Sequence, residues 1–145
     1  MPAGPLNITF SGLFDFGTGT GILSILAEKL GASTIEAIDI DHWSIENAEE
    51  NAKRNDCKKI SFRLTAEIPQ HPFDIVLANI NRNVILHHLE TLRKISRQNI
   101  LLSGLLTTDE EMVMEACKKQ GLRLVRRTEK NNWICLLVEN ESLPN

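Results

Sequence analysis

The sequence predicts an α/β protein with a Rossmann-like, doubly wound, mostly parallel seven-stranded sheet and a C-terminal antiparallel hairpin. Two observations carry this prediction. Short apolar runs alternate with helical patterns along most of the chain, which is typical of parallel strands joined by crossover helices. The last two apolar runs, 122–128 and 133–139, are separated only by Glu-Lys-Asn-Asn. Because no helix fits into so short a linker, these two strands must pair antiparallel.

The first half of the chain contains three predicted strands and two helices. Gly31 is expected to end the first helix, whose apolar face carries Ile22, Ile25, Leu26 and Leu30. Asp41 is expected to cap the second helix. The predicted strands are 13–16, 34–40 and 59–64, and the predicted helices are 21–30 and 42–55.

The second half begins with the clearest strand pattern, Phe-Asp-Ile-Val-Leu-Ala-Asn at 73–79. Thr107 or Thr108 is expected to cap the last helix, whose first turn carries acidic residues where the helix dipole favours them. The remaining predicted elements are a helix over 84–96, a strand over 99–103, a helix reaching 120, and the two hairpin strands.

Composition excludes several classes of protein. The chain has 145 residues, of which 42% are hydrophobic and 24% are charged, and this suits a globular domain. No apolar run approaches the ~18 residues of a membrane span, and no signal peptide precedes the first strand, so we expect a cytoplasmic protein that does not contact membranes. The net charge of −3 argues against direct binding of nucleic acid. The cysteine spacing matches no metal or redox motif.

We expect one domain over 13–140, preceded by an irregular segment over 1–12 and followed by a tail over 141–145. Trp133, in the last hairpin, is expected to belong to the core. Trp43 either walls a ligand pocket or packs at the start of its helix, and the sequence leaves both readings open.

The strongest motif is Asp-Phe-Gly-Thr-Gly-Thr-Gly at 15–21, between the first strand and the first helix. Gly17 and Gly19 permit a sharp turn and a close approach by a ligand, and backbone N–H groups at a helix start can hold an anionic group. Asp39 ends the second strand, where a carboxylate accepts hydrogen bonds from ribose hydroxyls. The motif therefore predicts a ligand that combines a ribose with an anionic group.

Two classes of ligand fit this motif. Dinucleotide-binding proteins carry G-x-G-x-x-G, whereas this loop reads G-x-G-x-G and has Ile22 where the third dinucleotide glycine would stand. The leading Asp15 also occurs in S-adenosylmethionine-dependent methyltransferases, in which the amino-acid end of the cofactor sits over the loop.

Asn79 ends the fourth strand, in the run Ala-Asn-Ile-Asn at 78–81. Because ligands bind beyond the carboxyl ends of parallel strands, we expect Asn79 to face the same crevice as Gly17 and Asp39. Its amide can accept a hydrogen bond from a substrate amine and so aim the nitrogen lone pair at a methyl group. The alternative is that Asn79 caps the following helix.

From Phe14 onward the sequence resembles the catalytic domain of the bacterial ribosomal protein methyltransferases called PrmA, which methylate amino groups of the large-subunit protein L11. The resemblance implies S-adenosylmethionine as cofactor, a ribosomal protein as partner and Asn79 as the catalytic residue between cofactor and substrate amine. The matching stretches are Asp-Phe-Gly-Thr-Gly-Thr-Gly-Ile-Leu, Ala-Ile-Asp-Ile-Asp, Phe-Asp-Ile-Val-Leu-Ala-Asn-Ile, Leu-Ser-Gly-Leu-Leu and the ending Glu-Lys-Asn-Asn-Trp-Ile.

The resemblance also implies a set of cofactor contacts. Asp15 lines the methionine end of the cofactor, Ile40 lines the adenine end, and Gly17 and Asp39 bind the cofactor directly. Where the family usually has Gly-Asp after the third strand, this chain has Thr-Ala-Glu, so Glu67 must substitute. The complete set of predicted cofactor-binding residues is Asp15, Gly17, Thr18, Gly19, Gly21, Asp39, Ile40, Glu67 and Asn79, and no metal is predicted.

Three functions stay open at this point. The first is protein N-methyltransfer. The second is cofactor binding without turnover, because the family's N-terminal recognition domain and upstream closing segment have no counterpart in these 145 residues. The third is methylation of nucleic acid amino groups, although Asn-Ile-Asn-Arg at 79–82 lacks the aromatic ring on which such enzymes stack a flipped base.

Overall fold

The structure is a computed structural model, and it describes residues 12–141 in two units, Met1–Glu67 and Ile68–Asn145. The predicted irregular segment, apart from Gly12, lies outside the described residues, and so does the predicted tail beyond Glu141. The domain boundary at 13–140 stays a prediction.

The first unit contains three parallel strands with β2 in the middle. Ile35 of β2 stands opposite Leu13 on one side and Ile60 on the other. The alternation of strand and helix that the sequence predicts is confirmed for this unit. Its elements are β1 (Leu13–Phe16), α1 (Ile22–Lys29), β2 (Ile35–Asp39), α2 (His42–Arg54) and β3 (Ile60–Leu64).

Both helices end near the predicted positions. Gly31 follows α1 with a φ of 110°, a left-handed conformation that glycine adopts without steric cost, so the predicted cap is confirmed. Asp41 occupies the N-cap position of α2, but its side chain makes no capping bond to the backbone. Its Oδ2 instead accepts a hydrogen bond from the Ser44 hydroxyl at 2.9 Å.

The apolar face of α1 does not face the core as predicted. Ile22 is 67% exposed and Leu26 is 51% exposed, whereas Ser24 and Ala27 are buried. The reason is the carboxylate of Asp15 in β1, which accepts a hydrogen bond from the Ser24 hydroxyl at 2.7 Å. The helix therefore buries Ser24 and Ala27, whereas Ile22 and Leu26 face solvent.

The second unit is a four-stranded sheet in the order β4-β5-β7-β6, in which β7 runs antiparallel to both of its neighbours. The predicted C-terminal hairpin is thereby confirmed. The elements are β4 (Phe73–Asn79), α3 (Arg82–Ile95), β5 (Ser96–Leu106), a 3-10 turn (Thr107–Asp109), α4 (Glu110–Lys119), β6 (Leu122–Lys130) and β7 (Trp133–Asn140).

Two local predictions in this unit are wrong. The hairpin linker is two residues long rather than four, because Asn131 and Asn132 have φ values of 52° and 68° and form a tight turn that matches strand twist. Neither Thr107 nor Thr108 caps the last helix. Asp109 takes that position, and its Oδ2 accepts a hydrogen bond from the Leu106 N–H at 2.9 Å.

The core of this unit is aliphatic. Val76, Ile100, Leu102 and Leu136 are fully buried, whereas Trp133 is 54% exposed, so the prediction of a core tryptophan is wrong. The indole stands at the start of β7, on the opposite side of the strand from Ile134. Among residues 12–141, no helix is long and apolar enough to cross a membrane.

Candidate functional site

The glycine loop between β1 and α1 is tied to the end of β2 by its own backbone. The N–H groups of Gly17 and Thr18 both donate to the carbonyl oxygen of Ile38, at 3.0 and 2.9 Å. The Gly19 N–H donates to Asp39 Oδ2 at 2.9 Å. These three groups therefore shape the loop, and the expected capture of an anion by loop N–H groups does not involve them.

Gly19 and Gly21 have different surroundings although both have positive φ. A Cβ on Gly19 would meet no atom within 4 Å, so its backbone borders open space that a ligand can enter. A Cβ on Gly21 would lie 3.0 Å from Ala48 Cβ and 3.3 Å from Phe62. Gly21 is buried and lets the start of α1 approach α2 and β3 closely, which is a packing role.

Asp39 is half-buried, and each of its carboxylate oxygens accepts one backbone hydrogen bond. Oδ2 accepts from Gly19, and Oδ1 accepts from the Asp41 N–H at 2.9 Å. An ionised carboxylate has about four acceptor sites, so two remain. The two hydroxyls of a ribose can donate to two such acceptor sites, and the contact of Asp39 with a ribose stays a prediction.

Asp15 is an almost completely buried carboxylate, with 1% of its surface exposed. Its Oδ2 accepts hydrogen bonds from the hydroxyls of Thr18 and Ser24 at 2.8 and 2.7 Å. Its Oδ1 has no partner among the described residues. Burial raises the pKa of Asp15, the two hydroxyls oppose this shift, and the charge of Asp39 adds slightly to it. An orphaned buried carboxylate oxygen fits a cationic group such as the amine of an amino acid.

The remaining predicted residues of this unit have different environments. Thr18 is buried, and because its hydroxyl is committed to Asp15 it supports the loop from beneath. Ile40 is 76% exposed directly after Asp39, and its contact with an adenine stays a prediction. Trp43 is 70% exposed, and its ring lies edge-on to that of His42 at 5.8 Å at the start of α2, so both of its readings stay open.

Glu67 lies in the segment that follows β3. This segment is attached to the end of β2, because the Thr65 N–H donates to the Asp39 carbonyl at 3.0 Å. The Glu67 N–H in turn donates to Thr65 Oγ1 at 3.1 Å, and the Glu67 side chain is exposed. The contact of Glu67 with a cofactor stays a prediction.

In the second unit, Asn79 is exposed at the carboxyl end of β4 and stands opposite Ser103 of β5. It does not cap the following helix. That position belongs to Asn81, whose Oδ1 accepts a hydrogen bond from the Val84 N–H at 3.0 Å. The alternative prediction, that Asn79 caps α3, is therefore wrong.

Several residues near Asn79 have roles that the sequence did not predict. Asp109 holds the two loops beyond β4 and β5 together, because it accepts from the Leu106 N–H and pairs with Arg82 at 3.3 Å. Gly104 lies against the Asn79 side chain. The glycine within the matched stretch Leu-Ser-Gly-Leu-Leu was the one signal in the sequence that pointed to this contact.

A pocket of about 260 Å³ lies between residues 103–104 of β5 and the turn end of the β6–β7 hairpin. We refer to it as the hairpin pocket. It is smaller than the roughly 300–1,000 Å³ of sites for drug-sized ligands, so it suits a single side chain. Its lining residues are Ser103, Gly104, Thr128, Glu129, Lys130, Trp133, Ile134 and Cys135.

Comparison with known proteins gives one consistent family. Residues 7–141 match the model of the ribosomal protein L11 methyltransferase (PrmA) family. The chain is 43% identical over 140 residues to the ribosomal protein L11 methyltransferase of Porphyromonas gingivalis, and 38% identical over 129 residues to that of Thermotoga neapolitana. These matches cover 90% and 86% of this chain but 48% of each relative, so the chain spans about half their length.

Solved structures support the predicted fold. The crystal structure of ribosomal protein L11 methylase from Lactobacillus delbrueckii subsp. bulgaricus has a TM-score of 0.88 and 28% identity, and the match covers 94% of this chain and 73% of that one. Magnesium protoporphyrin IX methyltransferase from Synechocystis, with bound SAM, has a TM-score of 0.76 at 16% identity, over 88% of this chain and 69% of that one, and this likeness concerns the fold alone. The predicted Rossmann-like class is confirmed.

Replacing Asp15 by asparagine should stabilise the protein while weakening its ligand binding. The raised pKa means that the folded state binds the proton more tightly than the unfolded state, so the stability of the wild type falls as pH rises from the unfolded pKa through the folded pKa. Asp15→Asn removes this decline but keeps an acceptor for Thr18 and Ser24. We expect a melting temperature above that of the wild type at pH 7.

The same variant should bind S-adenosylhomocysteine about tenfold or more weakly, because a hydrogen bond to a charged group contributes about 1.5–3 kcal/mol. Thermal denaturation across pH and isothermal calorimetry check the two effects. A variant that binds with unchanged affinity would exclude the orphaned oxygen from ligand recognition.

Alanine at the two loop glycines should separate packing from ligand contact. Gly21→Ala should lower the free energy of unfolding by about 2–4 kcal/mol, because left-handed strain adds to the contact with Ala48. Gly19→Ala should cost only about 1 kcal/mol of strain, yet it should weaken cofactor binding more, because its Cβ enters the open space. Urea unfolding and calorimetry on both variants measure this, and equal effects on stability would contradict it.

Proposed function

The chain belongs to the ribosomal protein L11 methyltransferase family, and we propose that it binds S-adenosylmethionine and transfers its methyl group to amino groups of a ribosomal protein, L11. The observation that carries the proposal is the pair of carboxylates around the glycine loop. Asp15 offers a buried oxygen without a partner among the described residues, and Asp39 offers two acceptor sites beyond those that its backbone donors occupy.

The residues of the first unit fit this cofactor. We assign Asp39 to the ribose hydroxyls, Asp15 to the ammonium group of the methionine end, and Ile40 to the face of the adenine. Gly17 and Gly19 give the ligand access to the loop backbone, while Thr18 and Gly21 support the loop from the protein side. Glu67 replaces the acidic residue that the family usually places near the adenine.

The cofactor supplies an electrophilic methyl group on a sulfonium, and the protein must position an amine in line with it. We assign this task to Asn79, which carries no capping role and stands at a strand end. Its amide oxygen accepts a hydrogen bond from the neutral amine and so directs the nitrogen lone pair. A protonated substrate amine would first give one proton to solvent. The neutral amine held by Asn79 could then take the methyl group, and S-adenosylhomocysteine would be the thioether product.

We assign the hairpin pocket to the acceptor side chain, because it borders Gly104 and has room for one side chain. The Trp133 indole, exposed at its edge, offers an apolar wall to the methylene groups of an alkylamine. A flipped base would need an aromatic ring next to Asn79, where the sequence has Ile80. A protein substrate is therefore favoured over nucleic acid, and a ribosomal substrate places the reaction in the cytoplasm.

Asp39→Ala should weaken binding of S-adenosylhomocysteine at least about tenfold, because the ribose loses its acceptors and the Gly19 loop loses its anchor. The matched control is Asp41→Ala. That side chain lies two residues away and accepts from the Ser44 hydroxyl, so binding should stay near the wild-type level. Isothermal calorimetry on the three proteins measures the difference, and unchanged binding in Asp39→Ala would remove the ribose assignment.

Asn79→Ala should lower the rate of methyl transfer about 100-fold, a typical cost of misplacing a reacting group. It should weaken binding of S-adenosylhomocysteine much less, because the carboxylates at the glycine loop remain. Transfer of a radiolabelled methyl group from S-adenosylmethionine to purified L11 measures the rate. Asn81→Ala is the control, because it removes only a helix cap. A wild-type chain that binds S-adenosylhomocysteine but transfers no methyl group would be a cofactor-binding module without turnover.

A further inference from the structure

Gly104 lies in an irregular part of β5. The pairing of β5 with β7 shifts register between Leu102 and Leu105, so Ser103 and Gly104 form a bulge. Gly104 has a φ of 76°, a left-handed conformation that residues with a Cβ rarely adopt. Bulges of this kind often redirect the backbone next to active sites.

The bulge brings the Gly104 backbone against Asn79. A Cβ on Gly104 would lie 2.8 Å from Asn79 Oδ1 and 3.3 Å from both the N and the O of Ile80. The first distance is shorter than real Cβ contacts allow, so any larger residue at position 104 would displace the Asn79 amide. The Asn79 amide oxygen can occupy its position next to β5 because residue 104 has no side chain.

Gly121 has a similar backbone conformation but different surroundings. Its φ is 69°, close to that of Gly104, yet the nearest atom to a Cβ at this position would be the tip of Arg93 at 4.0 Å. Left-handed backbone therefore explains why glycine occurs at both positions, but it does not explain the contact at Gly104. The contact of Gly104 is independent of its backbone conformation, and it involves Asn79, the side-chain amide that the proposed reaction uses.

We propose that Gly104 is a positioning residue for methyl transfer: the bulge of β5 sets the place of the Asn79 amide oxygen, and through it the orientation of the acceptor amine. This inference rests on the proposed function for its catalytic consequence, whereas its structural part concerns Asn79 alone. Asn79 also stands opposite Ser103 in the β4–β5 pairing, so the same two bulge residues flank its backbone and its side chain.

The test compares Gly104→Ala with Gly121→Ala. Both variants place alanine at a left-handed position, so both should lose thermal stability. The loss should be larger in Gly104→Ala because its Cβ also meets Asn79 and Ile80. Only Gly104→Ala should lower kcat, by about 10- to 100-fold, the range expected when a reacting group moves by a fraction of an ångström to one ångström. The dissociation constant of S-adenosylhomocysteine should stay unchanged in both.

A double variant distinguishes positioning from general damage. If Gly104 acts through Asn79, then Gly104→Ala should cause little further loss of kcat once Asn79 is alanine, because the two effects are not independent. Losses of kcat that multiply, or equal kcat values in Gly104→Ala and Gly121→Ala, would overturn the proposal.

The Asn79 side-chain amide gives a readout that needs no activity. In ¹⁵N-labelled protein its NH₂ resonances should shift in Gly104→Ala and stay in place in Gly121→Ala. If the wild type transfers no methyl group, the proposed function is wrong. The NH₂ resonances of Asn79 still test whether Gly104 positions this side chain. If Gly104→Ala does not fold, ¹⁵N relaxation in the wild type decides: the Asn79 NH₂ should be more ordered than that of the exposed Asn47, and equal mobility would overturn the proposal.

Discussion

The carboxylate of Asp39 joins two turns of backbone, because one oxygen accepts from Gly19 and the other from Asp41. The adjacent Ile38 carbonyl takes the N–H groups of Gly17 and Thr18. These hydrogen bonds tie the shape of the glycine loop to the end of β2. In the proposed function, a loop held in this way would lower the entropy lost when the cofactor binds.

Burial of the Asp15 carboxylate lowers the stability of the folded protein. Removing a charge from water is unfavourable, and two hydroxyls on one oxygen offset only part of that loss while the other oxygen has no partner among the described residues. The same carboxylate makes α1 turn Ser24 inward and leave Ile22 and Leu26 in solvent. The hydrogen bond between Ser24 and Asp15 thereby explains a helix whose hydrophobic pattern differs from its packing.

The sequence was sufficient for the order and type of the elements. The apolar runs predict β1 and β4 to the residue, and the short linker predicts the hairpin. Contacts between residues that are far apart in the sequence could not be predicted in this way. Nothing local distinguishes Asn79 from Asn81 as a helix cap, or shows that Gly21 meets Ala48 while Gly19 meets open space. The contact of Gly104 with Asn79 depends on a bulge, which periodicity does not encode.

The recognition of a ribose by Asp39 is tested most directly by changing the ligand and leaving the protein intact. Isothermal calorimetry on the unmodified chain should compare S-adenosylhomocysteine with an analogue that lacks both ribose hydroxyls. We expect the analogue to bind at least about tenfold more weakly, because the two free acceptor sites of the carboxylate lose their donors. Equal affinities would contradict this account and would reduce Asp39 to an anchor for the glycine loop.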